Sequence, residues 1–283
     1  MKSGFEKLAG SFPGRTVGSE VRHLATVTST MDIAWELAHA GAADGTVIVA
    51  DHQTAGRGRF NRSWVSQQGQ DVLCSVVLRP RVSLAGELLM LAALAVVDIA
   101  ESYGIDTGIK WPNDVQVNGK KLAGVIAESV SGPAGGSGED HNTENNAVPV
   151  LDNRSSHITA VIGIGLNVNF VPADHAGTAP GSTSLAAELG RQINRSETFE
   201  KLVRSLNDHY SGITAGGSVI PAWRQKLTTL DRRVTVVSGE PGNTSELHGL
   251  AHDVDSSGRL IVRDENGRDW PVAAGEVTVR EIE

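Results

Sequence analysis

Cysteine is nearly missing from this chain: Cys74 stands alone among 283 residues. That rules out an internal disulfide framework and any zinc site built from several thiolates. Cys74 lies in the run Val72-Leu73-Cys74-Ser75-Val76-Val77-Leu78, where a buried small apolar residue is expected rather than a nucleophile. Positive charge is also short. Lys and Arg number 25 against 33 Asp and Glu, a formal net charge of −8, which argues against a partner as uniformly anionic as duplex DNA. An anion bound by such a chain must meet cations gathered in one place. Long apolar runs are lacking too. The longest, Leu88 to Val97, stops at Asp98, well short of the roughly 20 residues that a bilayer crossing needs. Met1 to Gly14 has no apolar core of signal-peptide length behind Lys2. A cytoplasmic location and no membrane partner are therefore expected. No Walker-type phosphate loop, internal repeat or helix-turn-helix pattern is visible, and the 28 residues before Ser29 leave no room for a DNA-reading domain.

What is present is ordinary globular composition, 40% hydrophobic and 20% charged, enough for one or two domains with a sizeable core. Thr46 to Ala50 and Asp71 to Leu78 read as strands, the second ended by Pro80. A buried helix is predicted from Leu84 to Tyr103, with Ser83 as N-cap, Glu87 in the first turn and Gly104 past the end. Asn118-Gly119 between Asp114–Val117 and Lys121–Glu128 signals a hairpin with a type I′ turn. Ser131 to Asn146 is low-complexity and reads as a mobile loop, and His157 to Asn169 as a strand. Helices are expected at Thr183–Leu189, Thr198–Ser211 and Pro221–Leu227. From Arg233 short strands (Val234–Val237, Leu247–Val254, Arg259–Arg263, Glu276–Arg280) separated by turn residues suggest a small β-barrel-like unit, placing domains at 1–229 and 230–283.

Four clusters carry chemistry. Ser29-Thr30-Met31-Asp32 precedes a helical segment from Ile33 to Ala40; such hydroxyls cap a helix and equally offer hydrogen bonds to a polar ligand. Gln53 leads into Gly56-Arg57-Gly58-Arg59-Phe60-Asn61-Arg62-Ser63-Trp64. Glycine lets a ligand approach closely, and guanidinium forks grip phosphate or carboxylate oxygens in pairs. Nothing compensates so many adjacent cations, so this loop is expected to order when ligand arrives. In Lys110-Trp111-Pro112-Asn113-Asp114 the proline is expected to fix an extended backbone. Asn113 and Asp114 there are oxygen ligands of the type that hold Mg²⁺ beside substrate phosphates. Lys120-Lys121 opens the next strand, with Gly124 permitting close approach. Each cluster alone has a plainer reading, as a cap, a basic turn, a strand end or a solvated edge. Gly163-Ile164-Gly165 lacks the third glycine of a dinucleotide fingerprint, so close packing explains it better. His248 and His252 read as surface histidines, not a metal pair.

In this order the clusters resemble those of the biotin protein ligases, from about Val21 to Arg280. The resemblance rests on Ser29-Thr30, Gln53, Gly56-Arg57-Gly58-Arg59 with Arg62 and Trp64, Lys110-Trp111-Pro112-Asn113-Asp114, Lys121-Leu122-Ala123-Gly124, Gly163-Ile164-Gly165-Leu166-Asn167, and Gly275-Glu276 with Arg280. It implies an α+β fold: a class II aminoacyl-tRNA synthetase-like catalytic domain of mixed sheet and flanking helices, followed by an SH3-like C-terminal domain. It further implies that biotin and Mg-ATP give biotinyl-5′-adenylate, whose biotinyl group passes to a lysine of the biotin carboxyl carrier domain of a biotin-dependent carboxylase. Without a DNA-binding extension the chain resembles the ligase-only class, with no DNA partner, as monomer or homodimer.

The same resemblance assigns biotin to Ser29, Thr30, Met31, Gln53, Gly56, Arg57, Gly58, Arg59, Trp64, Lys121 and Gly124. It assigns ATP to Arg57, Arg59, Arg62, Trp64, Lys110, Asn113, Lys121, Asn167 and Arg280. Catalysis falls to Arg57, Arg59, Lys121 and Asp114, with Asp114 also holding Mg²⁺ and Asn113 and Asn167 in support. Phe60-Asn61 and Met31 depart from the common family pattern, and Val171 to Leu185 lacks the aromatic that some relatives place near the adenine. Two rivals stay open. A lipoate ligase or octanoyltransferase shares the catalytic fold, the latter needing a reactive cysteine. A non-catalytic biotin-adenylate sensor would have replaced Lys121, Arg57 or Asp114.

Overall fold

A computed structural model describes residues 5, 12–59, 62–131, 157–170, 181–240, 243–273 and 276–279. Seven strands form the larger sheet: β1 (Val21–Leu24), β2 (Val47–Ala50), β3 (Val72–Leu78), β4 (Gly108–Lys110), β5 (Asp114–Val117), β6 (Lys120–Ser131) and β7 (Ile158–Leu166). Their order is β1-β2-β3-β7-β6-β5-β4. Only the β1–β2 pairing is parallel; the others are antiparallel. β2 is an unbroken apolar run and β3 is one but for Ser75, and every residue of both is buried, as strands covered on two faces require.

The two faces are covered unequally. Val47, Val49, Cys74, Val76, Ile162 and Ile164 belong to the main core, with α2 (Leu88–Ser102) and α3 (Arg195–Thr214) packed over it. Ile48, Val77 and Val161 face the other way and meet Met31, Ala34 and Ala38 of α1 (Thr30–His39). A ten-residue helix is only about 15 Å long, so α1 covers part of that face. Beyond Met31 the sheet carries Gly163, Gly165 and, in register with Gly165, Gly124. There the surface is hollow, and the candidate site lies over it.

Five strands make the second sheet: β8 (Arg233–Glu240), β9 (Asn243–Val254), β10 (Leu260–Arg263), β11 (Asp269–Val272) and β12 (Glu276–Val279), in the order β11-β10-β9-β8-β12 and antiparallel throughout. Its apolar residues Val234, Val236, Leu260, Val262 and Val277 join the main core without a break. The turn at Gly258 meets Trp111 and α2. Its carbonyl accepts from Trp111 Nε1 at 3.1 Å, and a Cβ on Gly258 would fall 1.8 Å from Met90 Cε.

Several expectations are corrected. Ser83 caps nothing: Val82–Glu87 is a 3-10 turn and α2 begins at Leu88 with Glu87 at its N-cap, where the carboxylate does not cap the helix but accepts from the Val219 N–H (2.7 Å) and the Ser218 hydroxyl (2.8 Å). Trp111-Pro112-Asn113 is not extended. It forms the tight turn joining β4 to β5 across the Lys110–Asp114 pair, with a cis Trp111–Pro112 bond. β1, β4 and β11 went unpredicted. β11 holds Pro271, tolerated because the strand is an edge that pairs only with β10. The predicted features that fit include Asn118 and Gly119 at positive φ (48° and 78°) and Gly104 at φ 79° ending α2. Of Ser131 to Asn146, only Ser131 lies within the described residues.

Asp71, just ahead of β3, is fully buried, its Oδ1 accepting from the Val168 N–H at 2.9 Å. Burial pushes its carboxyl up from 3.8 to about 7, against the Val168 and Phe170 amides and the Arg195 charge, which pull it down. A carboxyl raised in the folded state favours folding fully below its ordinary value, and that favour is lost as pH rises through about 7. Asp71→Asn keeps an acceptor for Val168 and removes the titration. The wild-type thermal midpoint should fall relative to Asp71→Asn between pH 5 and pH 8, by about 3 °C or more. Parallel melting curves at the two pH values check this; an unchanged difference contradicts it.

Candidate active site

Parallel pairing of β1 and β2 brings the first two clusters together. The pairing continues past the strands: Val27 and Gln53 form a bridge, and the Thr54 and Ala55 amides donate to Val27 and Thr28 carbonyls at 2.9 Å. Gln53 is thereby laid beside the start of α1. Ser29 caps that helix in extended geometry, its hydroxyl accepting from the Met31 N–H at 3.3 Å. Gln53 Oε1 accepts from both the Thr30 N–H (2.7 Å) and Thr30 Oγ1 (3.0 Å), while Thr30 Oγ1 and Ser75 Oγ share a further hydrogen bond of 2.8 Å. With its oxygen spent on Thr30, Gln53 offers the amide NH₂ to a ligand, and Ser29 offers its proton. This is a prepaid polar corner at a helix N-terminus.

The arginine loop leaves Gln53 as a small hairpin. Trp64 N donates to Gly56 O (2.9 Å), Gly58 N to Arg62 O (2.7 Å), and Arg57 pairs with Ser63. A Cβ on Gly56 would sit 2.7 Å from the Trp64 carbonyl, so only glycine permits the closure. The hairpin delivers Trp64 onto the glycine floor. A Cβ on Gly165 would lie 2.5 Å from the indole, one on Gly124 3.0 Å from it, and one on Gly163 2.6 Å from Met31 Sδ. The spacing of Gly163 and Gly165 therefore serves side chains lying flat on the sheet.

The arginines are not uncompensated, contrary to expectation. Arg57 reaches Asp32 (2.9 Å) and Glu128 (3.7 Å), and Arg59 donates to Asn113 Oδ1 at 3.1 Å. The chain folds acceptors from α1, β6 and the β4–β5 turn onto a stretch that has none of its own. Asn113 spends its other end on the Val125 carbonyl (2.6 Å), which positions the turn. Trp111 is buried, anchored by Thr229 Oγ1 and Gly258 O. Lys121, at the start of β6, places Nζ 2.7 Å from Asp114 Oδ1 and 5.6 Å from the Trp64 ring centre, both charged side chains being about a quarter exposed. Its backbone is held on the far side by Gly181 O and the Thr183 N–H, each at 2.8 Å. Asn167 is buried and donates to Thr183 O at 2.9 Å.

These elements enclose a cavity of about 470 Å³, within the range of small-ligand sites. It is lined by Ser29, Thr30, Met31, Gln53, Arg57, Gly58, Arg59, Arg62, Trp64, Lys110, Asn113, Asp114, Lys121, Gly124 and Asn167. Gly56 packs behind the lining, Arg280 and Gly275 fall outside the described residues, and Glu276 is placed in β12 by its backbone alone. Among the described residues the lining holds five cations (Arg57, Arg59, Arg62, Lys110, Lys121) and one carboxylate, Asp114. In a chain of net charge −8, that is a local excess of positive charge facing one cavity.

Sequence comparison places most of the chain. The model of the biotin/lipoate A/B protein ligase family matches residues 23–137, and that of the biotin protein ligase C terminal domain matches 229–280. The biotin--[acetyl-CoA-carboxylase] ligase of Mycobacterium tuberculosis is 33% identical over 273 residues, 92% of this chain and 90% of that one. The chain belongs to the biotin protein ligase family. The bifunctional ligase/repressor BirA of Bacillus subtilis is 37% identical over 276 residues, 90% of this chain and 77% of that protein. Among solved structures, a biotin protein ligase from Aquifex aeolicus in complex with biotin and ATP covers 93% of this chain and 99% of its own, with TM-score 0.70 at 24% identity. That likeness bears on the fold: a mixed sheet with flanking helices and a small antiparallel C-terminal sheet.

Residues of the lining that sequence reading passed over include Gln116, Phe170, Ser182 and Val277. Gln116 sits opposite Lys121 on the paired strand β5, the one signal that pointed to it. Phe170 and Val277 are buried apolar residues like many others. Cys74 is buried and its thiol is pushed up to about 12 by burial, so it is inert as a nucleophile.

Proposed function

We infer that the protein activates biotin with ATP, forming biotinyl-5′-AMP and releasing pyrophosphate, and then transfers the biotinyl group to a lysine of a biotin carboxyl carrier domain. The observation that carries this reading is the convergence of five cations and one carboxylate on a single apolar-floored cavity. Both reactants are anions. A biotin carboxylate oxygen must attack the α-phosphorus of ATP, and their mutual repulsion is offset only where cations are already in place. Arg57, Arg59 and Lys121 supply them. The ureido carbonyl needs donors, which the Gln53 amide and the Ser29 hydroxyl provide with Thr30 fixing Gln53 in place, while Trp64 and Met31 flank the ring and chain on the glycine floor.

In the second step the carrier amine attacks the carbonyl of the mixed anhydride and AMP departs, so no covalent enzyme intermediate is required. Lys110, Arg62 and Asn167 fit the nucleotide side, together with Arg280. Asp114 is the carboxylate available to a divalent cation. Among the described residues no group of three His, Cys, Asp or Glu could hold a metal alone, which fits an ion held mostly by substrate phosphates. Such an ion would neutralise charge on the departing pyrophosphate. Residues 1–229 carry most of this chemistry in the same reading, with 230–283 as a second unit that contributes Val277 to the cavity wall and, in this reading, Arg280 to the nucleotide.

Mixing the protein with biotin, Mg-ATP and an isolated carrier domain tests the reading: mass of the carrier should rise by one biotinyl group. Transfer of lipoate in a parallel reaction, and not of biotin, points to the lipoate-ligase rival. Adenylate without transfer points to a sensor. Arg59→Gly removes the guanidinium and its tie to Asn113. It is expected to speed adenylate dissociation about tenfold or more and to label lysines indiscriminately. An unchanged dissociation rate contradicts that role.

A further inference from the structure

Arg57 is held from outside the cavity by carboxylates that do not line it. Its guanidinium lies 2.9 Å from Asp32 Oδ1 and 3.7 Å from Glu128 Oε1. Asp32 is in the first turn of α1, and Glu128 is on β6 beyond Gly124. All three side chains are about two-fifths exposed, and neither acid borders the cavity. Both acids are themselves oriented. Glu128 Oε2 accepts from Trp35 Nε1 at 2.7 Å, and Asp32 Oδ2 from Thr28 Oγ1 at 3.3 Å. Each thus turns one oxygen to the arginine and the other to α1 or to Thr28, two residues ahead of it.

A guanidinium presents its N–H donors in one rigid plane. Edges turned to two carboxylates at the rim are not available to an anion deeper in the cavity. Exposed ion pairs of this kind are individually weak, which suits contacts that break and re-form in every turnover. We propose that Asp32 and Glu128, with Trp35 steadying Glu128, form a clasp that draws Arg57 off the bound anion and so sets how long the adenylate is retained. They are positioning residues: they touch the arginine and not the reactants. When the adenylate forms, Arg57 passes from the clasp to the phosphate, and recapture by the clasp reopens the rim. The inference rests on the adenylate-forming reading above.

The test uses the full-length protein loaded with biotin and α-labelled ATP, freed of excess nucleotide, then diluted while retained adenylate is followed. Asp32→Asn and Glu128→Gln should each slow its dissociation about threefold, and together about tenfold. Trp35→Phe should shift the rate in the same direction by less. Unchanged or faster dissociation in the double variant overturns the clasp, and general structural damage would give faster loss, not slower. Asp32 also favours the helix N-terminus electrostatically; Glu128→Gln has no such second role, so its result stands even where Asp32→Asn folds poorly. Wild-type protein that forms no adenylate overturns the ligase reading and the clasp with it. Adenylate that forms normally and leaves at unchanged rates overturns the clasp alone.

Discussion

Lys121→Met is expected to slow adenylate formation by about 100-fold or more, the scale of losing one charged donor at a developing anion. Lys121 is the cation most firmly built into the site. Its backbone is hydrogen-bonded to Gly181 and Thr183, and its ammonium is fixed between Asp114 and the Trp64 ring. Methionine preserves the apolar stem that packs along the indole, so the fold and the floor remain while the charge goes. The measurement is single-turnover pyrophosphate release at saturating biotin and ATP. A rate within tenfold of wild type would assign the phosphate-facing charge to another residue.

Gly165→Val should cost about 100-fold or more in biotin affinity, close to 3 kcal/mol. A single Cβ at this position would already lie 2.5 Å from Trp64 Cε2 and 2.7 Å from Cζ2; valine adds two further carbons. The indole must leave the floor, and with it goes the hairpin end tied by Trp64 N to Gly56 O. Valine itself suits a central strand, so the strand should persist while binding is lost. Titration calorimetry with biotin alone reads this effect. Near wild-type affinity would mean that Trp64 does not cover the ligand.

How much of this was legible beforehand depended on whether a residue's role was local. Asn118-Gly119 announces its turn, and Ser29 its cap, because the chemistry is contained within four residues. Lys110, Asn113, Asp114 and Lys121 were recognisable as a set because a family motif fixes their spacing, even though the backbone of that motif proved to be a turn and not an extended strand. The glycines at 124, 163 and 165 were readable as places of close approach. What approaches them, Trp64 and Met31, is set by the sheet register and the loop path. Compensation of Arg57 by Asp32 and Glu128 was invisible for the same reason: the partners lie 25 and 71 residues away in sequence (57 − 32 and 128 − 57), joined only when α1 and β6 flank the same loop. β11 was hidden by Pro271 and by exposed side chains that give no alternating pattern.

The most direct measurement is exchange of labelled pyrophosphate into ATP, with and without biotin. If the converging cations of this cavity bring a carboxylate and a triphosphate together, exchange should depend strictly on biotin, be absent with lipoate, and collapse in Lys121→Met. Exchange that proceeds without biotin, or that survives loss of the Lys121 charge, would contradict it.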